Sequence, residues 1–466
     1  MKKTAIVYGI LENEIQKRAL EQISSIVLEH TLEYPACIKY SDMEDTDKFR
    51  YIYIGTKANN PYIAKHSLQK LTKPEEYSID VSNDRVIIEG YDDAGTLYGC
   101  IDFYNKYIVK FENTDDSDIN FLNVFAQEKL FDFSCSSAPS TSHRGIWTWG
   151  HVIYNYRNFI DNMMKLKMNT IIIWNDYVPV NAKEMIEYAH NCNIKVIWGY
   201  SWLWDTKCDQ VNLNNLYENI DKITDKYEKE YSHLNIDGIY FQSFTELRED
   251  KIGDVVIAEA VTEFVNETAK RFFEKFGEME LQFGLHATSV NQKLNYIKNT
   301  DPRVRLYWED CGSFPFAYCP KNTKDFNETK EFTKNIAKLR ENEKFGVVTK
   351  GITKLDWSEF EHLPGSLYIG KCSKQVTHNR VDRKNKTWRY IQSYWMTNAD
   401  KALDMIKTMC DAKKGDLYIT GLVEDGMFEE NIMFPVALFS EMMWDCKADV
   451  KEMISDVALR SYVEFA

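Results

Sequence analysis

Glu246 closes the segment 237–246, DGIYFQSFTE, in which an apolar, aromatic and β-prone run ends in polar residues and a carboxylate. Four similar segments occur at 169–176, 195–202, 281–288 and 303–310. Short apolar strands that alternate with helical patterns indicate a parallel sheet. In a (β/α)8 barrel the carboxyl ends of the strands carry the active site, so Glu246 is the first candidate for a catalytic acid.

A second carboxylate is needed for one chemistry that suits this pattern, the cleavage of a glycosidic bond. Glu246, in aromatic surroundings, could be held protonated by desolvation and donate its proton to the leaving oxygen. The second carboxylate would attack the sugar or activate water. Asp310 is the preferred candidate for this role, and Glu309, Asp356 and Glu359 are the alternatives.

Aromatic and hydrogen-bonding side chains at the predicted strand ends are typical of a sugar site, because sugar rings stack on Trp and Tyr while their hydroxyls need polar partners. The predicted aromatic walls are Trp147, Trp149, Trp174, Trp202, Trp308 and Trp357. The other predicted contacts are Asn175, Asp176, His286, Tyr307, Lys350 and Asp356. Any single Trp is as well explained by core packing, and Asp176 by helix capping. The joint pattern is what indicates a site.

The composition narrows the class of protein. With 466 residues, 44% of them hydrophobic, the chain is long enough for two domains with a sizeable core. A formal net charge of −14 argues against nucleic acid or an anionic membrane as a partner. The sequence has none of the runs of about eighteen apolar residues that predict a membrane span. We therefore expect a carbohydrate as the partner, and a homodimer is left open.

The amino-terminal residues and the cysteines bear on location. Glu12 and Glu14 interrupt the first apolar stretch, so it does not resemble a secretory signal. The ten cysteines are scattered without a C-x-x-C pair, which is typical of reduced thiols in a cytoplasmic protein. The nine histidines form no H-E-x-x-H motif, and the chain has neither a G-x-S-x-G elbow nor a phosphate-binding loop. We expect neither a metal nor another cofactor.

Two domains are predicted from the order of the elements. Residues 1–133 form a small α/β domain, with strands at 4–9 and 51–55, a helix at 12–29, a hairpin at 77–92 around Asn83-Asp84 and a helix at 93–107. The small, polar stretch SCSSAPSTS indicates a linker, which we place at 134–143. Residues 144–466 form a TIM (β/α)8 barrel, with strands at 144–150, 169–176, 195–202, 237–246, 281–288, 303–310, 345–351 and 415–422.

Three segments resemble parts of known glycoside hydrolases. They are VIIEGYDDAGTLYGCIDFY at 86–104, SHRGIWTWG at 142–150 and NFIDNMMKLKMNTIIIW at 158–174. Together with the two-domain plan, they are similar to α-glucuronidases of family 67 and β-N-acetylhexosaminidases of family 20. The resemblance implies that Arg144 binds sugar hydroxyls and that the strand-four Glu246 is the general acid.

Thr245 departs from one of the two families. Hexosaminidases carry an Asp-Glu pair after strand four, whose Asp orients the acetamido group of the substrate, whereas this chain has Thr245-Glu246. The α-glucuronidases have Ser-Glu there. We predict an exo-acting glycosidase of short oligosaccharides. Two alternatives stay open: a carbohydrate-binding protein on a degenerate glycosidase scaffold, and a lyase or isomerase that forms a Schiff base with Lys350.

Overall fold

The structure is a computed structural model that describes residues 2–44, 47–112, 123–175, 177–203, 213–245, 247, 249–310, 325–340, 344–352, 368–413, 416–423 and 428–466. The chain divides into two compact units. The first consists of Met1–Pro139, Asn191–Asn193 and Ser455–Ser461, and the second of Ser140–His190, Ile194–Ile454 and Tyr462–Ala466. The division after residue 139 falls inside the predicted linker.

The first unit is built on a six-stranded sheet with the order β2-β1-β3-β5-β4-β6. Its strands are β1 Lys3–Tyr8, β2 Ala36–Lys39, β3 Phe49–Gly55, β4 Tyr77–Ser82, β5 Arg85–Gly90 and β6 Phe133–Ser137. Its helices are α1 Glu14–Thr31, α2 Pro61–His66, α3 Asp93–Asp102 and α4 Val109–Glu112, with a π-helical stretch at Phe103–Ile108 between the last two. The first four strands in this order are parallel, and β4 and β6 are antiparallel to their neighbours.

Turn and cap chemistry explains several boundaries of this unit. Asn83 and Asp84 join β4 to β5 with φ values of 49° and 61°, the left-handed conformation that a two-residue hairpin requires and that Asn and Asp tolerate. The predicted hairpin is therefore confirmed. The Asn13 side chain accepts from the backbone N–H of Gln16, whose side chain accepts in return, and this capping box begins α1.

The predicted linker needs a correction, because Phe133–Ser137 forms strand β6. It pairs antiparallel with β4, with Cys135 opposite Ile79. Small polar residues have a low β propensity, but the exposed edge of β4 supplies a ladder of hydrogen bonds that outweighs it.

The second unit is a closed barrel of eight parallel strands in the order predicted from the sequence. The strands are β7 His143–Trp149, β8 Thr170–Trp174, β9 Lys195–Gly199, β10 Gly238–Phe241, β13 Glu280–His286, β14 Val304–Glu309, β15 Phe345–Thr349 and β16 Leu417–Leu422. Strand β16 pairs with β7 and closes the barrel. A short hairpin of β11 Lys251–Ile252 and β12 Val255–Val256 follows β10, and β17 Ile432–Met433 pairs with β18 Val463–Glu464. The predicted TIM barrel is therefore confirmed.

Helices alternate with these strands. They are α5 Tyr156–Lys165, α6 Ala182–Asn191, α7 Ile220–Glu230, α8 Ile257–Phe276, α9 Leu294–Ile297, α10 Phe326–Ala337, α11 Lys374–Ala412, α12 Phe434–Trp444 and α13 Val450–Ala458. Among the helices of the described residues, none has both the length and the apolar character needed to cross a membrane.

An ion cluster fills the amino-terminal end of the barrel. The Arg305 guanidinium pairs with Glu280 and lies 2.6 Å from an Asp416 carboxylate oxygen. It also lies 4.0 Å from the centre of the Tyr418 ring, and the His143 ring stacks on Tyr418 at 3.8 Å. Arg305 is fully buried, so its charge depends on these partners. We call Glu280, Arg305 and Asp416 the base cluster.

The base cluster should stabilise the fold rather than take part in catalysis, since it lies at the amino-terminal ends of the strands. We expect Arg305→Met to lower the free energy of unfolding by about 3 kcal/mol, because Glu280 loses its buried cation. The matched control is Arg303→Met, because Arg303 is half exposed although it lies 2.6 Å from Asp301. Its loss should cost about 1 kcal/mol or less. Urea unfolding measures both, and equal losses would contradict the role of the cluster.

Candidate active site

A layer of buried aromatic rings lies within the barrel. The rings of Trp147 and Trp174 are 5.7 and 6.1 Å from that of Tyr240, and the Tyr307 ring is 5.6 Å from it, all at steep angles. Trp147 is also 4.6 Å from Trp149. Edge-to-face contacts of this kind fix ring orientation as well as burying area. The layer therefore forms a rigid aromatic interior below the carboxyl ends of the strands.

Two glycines make room for this layer. A Cβ atom on Gly284 would lie 2.3 Å from the Tyr240 hydroxyl, and one on Gly346 would lie 2.3 Å from a carbon of the Tyr307 ring. Any side chain at either position would displace a buried ring. Gly284 is on β13, between β10 and β14, so its missing side chain lets Tyr240 reach across to a residue of β14.

That residue is Glu309, the last residue of β14. The Tyr240 hydroxyl and the Gln242 side-chain amide both donate to its Oε1, while the Lys350 ammonium lies 2.6 Å from Oε2. Glu309 and Lys350 are both buried. Strands β10, β14 and β15 thus bring these four side chains together at their carboxyl ends.

The Glu309 carboxyl is ionised in this environment. Burial alone would raise its pKa, but the charge of Lys350, the neighbouring His286 and the hydrogen bonds from Lys350 and Tyr240 outweigh burial and lower the pKa to about 2. Burial and the Glu309 charge raise the pKa of Tyr240, which therefore remains a hydrogen-bond donor. An ionised carboxylate can act as a base or a nucleophile, but not as the proton donor.

His286 ends β13 beside this group. Burial and the charge of Lys350 lower the pKa of its imidazole to about 4, despite the opposing effect of Glu309. The ring is therefore neutral near pH 7 and can offer one donor and one acceptor nitrogen. This places His286 in the predicted site as a hydrogen-bonding group rather than as a cation.

Acid should destabilise the protein through His286. Below pH 6.5 the His286 imidazole binds a proton in the unfolded state but stays neutral in the native state. The stability that is present at pH 7 is therefore lost as the pH falls toward 4. We expect His286→Asn to reduce the dependence of the unfolding free energy on pH between 6.5 and 5, by at most about 1.4 kcal/mol per pH unit. Urea unfolding at several pH values measures it. Parallel curves for the wild type and the variant would contradict the assignment.

The difference between the wild-type and variant slopes isolates the contribution of His286 within that pH range. Glu309, with its pKa lowered from an ordinary 4.5 to about 2, loses its contribution only below pH 4.5. Burial also lowers the pKa of His143, so His143 adds to the wild-type slope. Its contribution cancels when the variant is compared with the wild type.

Asp310 takes a different position from its neighbour. It is fully buried, and its carboxylate accepts from the backbone N–H of Lys350 at 3.1 Å, while its own N–H donates to the carbonyl of Val348 at 3.0 Å. Successive side chains of a strand point to opposite faces. The geometry therefore favours Glu309, and not Asp310, as the carboxylate that joins the group around Lys350.

The predicted tryptophans separate into two sets. Trp147, Trp149 and Trp174 belong to the aromatic interior. Trp202 stacks on Phe241 at 3.6 Å, and Trp308 lies 5.3 Å from Phe332 of α10. Both are almost completely buried, so these two rings pack the barrel against its helices and are not brought to the group around Glu309.

Tyr307 and Asn175 occupy supporting positions. Tyr307 lies two residues before Glu309 on the same face of β14. Its hydroxyl forms a hydrogen bond with Thr420 Oγ1 at 2.8 Å. Asn175 follows β8, is buried, and donates its side-chain amide to the carbonyl of Tyr177. Tyr307 is thus part of the aromatic layer, and Asn175 holds the backbone at one strand end.

Arg144 lies near the start of β7, at the opposite end of the strand from Trp149. Its guanidinium donates to the carbonyls of Lys167, at 2.9 and 3.1 Å, and of Thr141, at 2.7 Å. It also lies 5.1 Å from the Trp444 ring centre. The structure therefore does not bring Arg144 to the Glu309 group, and its contacts are those of a structural residue.

The end of β10 leads to the predicted acid. Phe244, two residues before Glu246, has a φ of 52° and is buried, and the Ser289 hydroxyl donates to the carbonyl of Thr245. A left-handed conformation at a bulky residue is strained and often marks a functional strand end. The predicted site residues Glu246, Asp176, Asp356 and Trp357, and the alternative Glu359, lie outside the described residues.

The side chains that commonly bind metals are dispersed. Within the described part of the chain, His, Cys, Asp and Glu form no group of three or more that could hold a metal ion. The site as described consists of one ionised carboxylate, one ammonium group, neutral polar side chains and aromatic rings.

Comparisons with known proteins identify the class of fold. No family model and no curated protein matches this sequence. Among solved structures, CpGH84B matches this chain at 12% identity and a TM-score of 0.54. The match covers 98% of this chain and 70% of the CpGH84B chain. A GH138 enzyme targeting pectin rhamnogalacturonan II matches 97% of this chain at 13% identity and a TM-score of 0.53. BtGH115A, a GH115 4-O-methyl-α-glucuronidase with specificity for decorated arabinogalactans, matches 95% at 14% identity and a TM-score of 0.53.

These three neighbours are glycoside hydrolases of different families, and they share a barrel fold with this chain. The matched region is 52% of the GH138 enzyme and 56% of BtGH115A, so the chain spans about half the length of these two enzymes. Identities of this size show the fold alone. The comparisons thus show a glycosidase-like (β/α)8 barrel fold, and the resemblance to families 67 and 20 stays a prediction.

Proposed function

We propose that this protein is an exo-acting glycoside hydrolase of short oligosaccharides. The observation that carries the proposal is Glu309, a buried and ionised carboxylate at the carboxyl end of a barrel strand, with the aromatic layer close by. Glycoside hydrolysis needs such a group paired with a second, protonated carboxyl group. Glu246, after β10, is the proposed proton donor.

The proposed reaction uses the two carboxyl groups in turn. Glu246 protonates the glycosidic oxygen as the bond from the anomeric carbon to that oxygen breaks. In one route Glu309 removes a proton from the water that attacks the anomeric carbon. In the other, Glu309 attacks that carbon to form a glycosyl ester, and water then cleaves the ester while Glu246 takes back a proton. Both routes consume one water and end with a hydroxyl on the sugar and a hydrogen on the leaving oxygen. Tyr240 and Gln242 hold Glu309 Oε1, which leaves the attacking geometry fixed before the substrate binds.

Trp147 supports the binding of a polar ligand. Its indole N–H is buried and has no acceptor among the described residues. An unpaired buried donor costs free energy unless a ligand or water satisfies it. A sugar hydroxyl over the aromatic layer would supply the missing acceptor.

Lys350 argues against the lyase or isomerase alternative. Schiff-base formation needs a neutral amine, and enzymes obtain one by desolvation or by a neighbouring cation. Lys350 instead lies 2.6 Å from the ionised Glu309, which stabilises the ammonium form. The same pairing offsets its charge, so a substrate carboxylate gains little from it.

A carbohydrate-binding protein on a barrel without activity is the second candidate. One observation favours it: both oxygens of Glu309 already have protein partners, as in a structural ion pair. The aromatic layer would serve such a protein equally well, because stacking needs no carboxylate.

A hydrolysis screen separates the two candidates. The panel contains p-nitrophenyl glycosides, including N-acetylhexosaminides, together with aldouronic oligosaccharides. Release of a terminal sugar from any member supports the hydrolase. Binding of sugars in isothermal titration without cleavage of any member would overturn it in favour of the binding protein.

A further inference from the structure

Two exposed tyrosines lie on segments that follow the carboxyl ends of barrel strands. Tyr177 follows β8 and is 45% exposed, and Tyr368 is 57% exposed. Exposed aromatic rings near a sugar site can offer flat apolar faces on which a sugar ring stacks. Such a surface requires that the backbone fix both rings relative to the candidate site.

The segment 368–372 is tied to the loop that follows β7. Gly370 donates to the carbonyl of Ile153 at 2.9 Å and accepts from the N–H of Tyr156 at 3.2 Å, and Cys372 donates to the carbonyl of Tyr154 at 2.9 Å. Gly370 has a φ of 62°, and a Cβ there would lie 2.3 Å from the Tyr156 nitrogen. Only glycine allows this close approach. Tyr368 therefore stands on a short, hydrogen-bonded ladder.

Asn181 joins this ladder to the loop that carries Tyr177. Its buried side chain donates to the carbonyl of Ile369 at 3.0 Å and accepts from the N–H of Ile369 at 2.9 Å. On the other side, the Asn175 amide donates to the carbonyl of Tyr177. The two tyrosines thus belong to one hydrogen-bonded frame.

The frame is continuous with the end of β7. A Cβ atom on Gly150, the residue after Trp149, would lie 2.8 Å from the Asn175 amide oxygen and 3.1 Å from a side-chain carbon of Ile369. Gly150 therefore lies against both Asn175 and Ile369, directly after the end of β7. Tyr177 and Tyr368 are the exposed rings next to this contact.

Lys371 helps to hold one of the rings. Its ammonium lies 5.4 Å from the centre of the Tyr368 ring and 3.0 Å from a Glu184 carboxylate oxygen. A cation at this distance from a ring attracts its face, and Glu184 fixes the position of the cation. This contact favours one orientation of the Tyr368 ring before any ligand binds, which lowers the entropic cost of stacking on it.

We propose that Tyr177 and Tyr368 form a leaving-group subsite, on which the second sugar ring of an oligosaccharide stacks. The inference rests on the proposed hydrolase function. An exo-acting enzyme holds the terminal sugar deep in the barrel, over the aromatic layer, so the next ring along the chain lies at the rim. Two exposed rings on hydrogen-bonded segments next to the strand ends fit a pyranose there.

The test compares two substrates with the same terminal sugar. One is a disaccharide, and the other is the glycosyl fluoride, whose leaving group has no ring to stack. Tyr368→Ala and Tyr177→Ala should each lower kcat/KM for the disaccharide about tenfold through a higher KM, and should change the fluoride reaction less than about threefold. Tyr368→Trp should retain activity on the disaccharide. The matched control is Tyr34→Ala, an 86% exposed tyrosine of the first unit, which should change neither.

The outcomes separate this inference from the function on which it rests. If the fluoride is cleaved and both alanine variants cleave the disaccharide as well as the wild type does, the subsite is overturned and the hydrolase stands. If the wild type cleaves neither substrate, the hydrolase proposal fails. The subsite is then judged by isothermal titration with the disaccharide, where equal affinity of the wild type and the double alanine variant overturns it and a loss of about tenfold or more supports it.

Discussion

Glu309→Gln is expected to lower kcat/KM for glycoside hydrolysis by about a thousandfold or more, because the amide can neither attack the anomeric carbon nor take a proton from water. The replacement keeps the shape of the side chain and can still accept from Tyr240. The loss should appear in kcat, because the carboxylate charge of the wild type stabilises the transition state more than it stabilises the bound substrate. Steady-state kinetics on the best substrate of the screen measures it.

A fall in stability must be separated from this loss. Glu309→Gln removes the carboxylate charge that lies 2.6 Å from the buried Lys350 ammonium, which costs about 3 kcal/mol or more. The double variant Glu309→Gln with Lys350→Met removes both charges and should regain most of the stability, but none of the activity. Recovery of hydrolysis in the double variant would show that folding alone caused the loss.

Asp310→Asn is the matched control for the choice between neighbouring carboxylates. Asparagine can still accept the backbone N–H of Lys350, so the contact between β14 and β15 is preserved. We expect a loss of less than about tenfold in kcat/KM, because the Asp310 side chain lies on the opposite face of the strand from Glu309. Abolished activity in Asp310→Asn, with activity retained in Glu309→Gln, would reverse the assignment.

The alternation of side chains along strand β14 shows why Glu309, and not the Asp310 preferred from the sequence, reaches the barrel interior. Within 303–310, Val304, Leu306 and Trp308 alternate with Arg305 and Tyr307. The first three are buried apolar residues, as outward positions under helices should be, and the polar set faces the barrel interior. Continued by two residues, the polar set reaches Glu309. The alternation therefore contains the signal that selects Glu309.

The eight strands could be predicted because each is a short apolar run between turn residues and helical patterns. The direction of each side chain could not be predicted, because Trp suits either environment. Trp147 lies in the aromatic layer, whereas Trp308 packs between strand and helix. The glycines at 284 and 346 were missed for a related reason. Their role lies in rings that approach from neighbouring strands, which local sequence does not specify.

Helix α11 is an element that the sequence analysis did not predict. Its buried residues, Trp388, Ile391, Trp395, Ala399, Ala402, Met405, Ile406 and Met409, follow a helical spacing. The aromatic and polar residues between them obscure the pattern, and the backbone departs from helical geometry at Asn398. A count of apolar positions over the whole stretch would have indicated a helix before β16.

Glu246→Gln is the second change for which a large effect is expected. General acid catalysis contributes about a hundredfold to ten-thousandfold, so kcat/KM for an oligosaccharide should fall within that range. The fluoride ion leaves a glycosyl fluoride without protonation. The kcat/KM for hydrolysis of this substrate should therefore fall less than about tenfold. The contrast between the two substrates is the result that identifies a proton donor. Equal losses on both, or no loss on either, would contradict the role of Glu246.

The pH dependence of kcat/KM tests the role of Glu246 independently. Glu309 has a pKa of about 2, so it stays ionised throughout the range in which the enzyme can be assayed, and the wild-type kcat/KM should not fall on the acid side because of it. The decline should come on the alkaline side, where the donor loses its proton. In Glu246→Gln that alkaline decline should disappear, while Thr245→Val, next to the donor but without an ionisable group, should retain it. A variant profile that still falls at high pH with the wild-type midpoint would assign the donor to another residue.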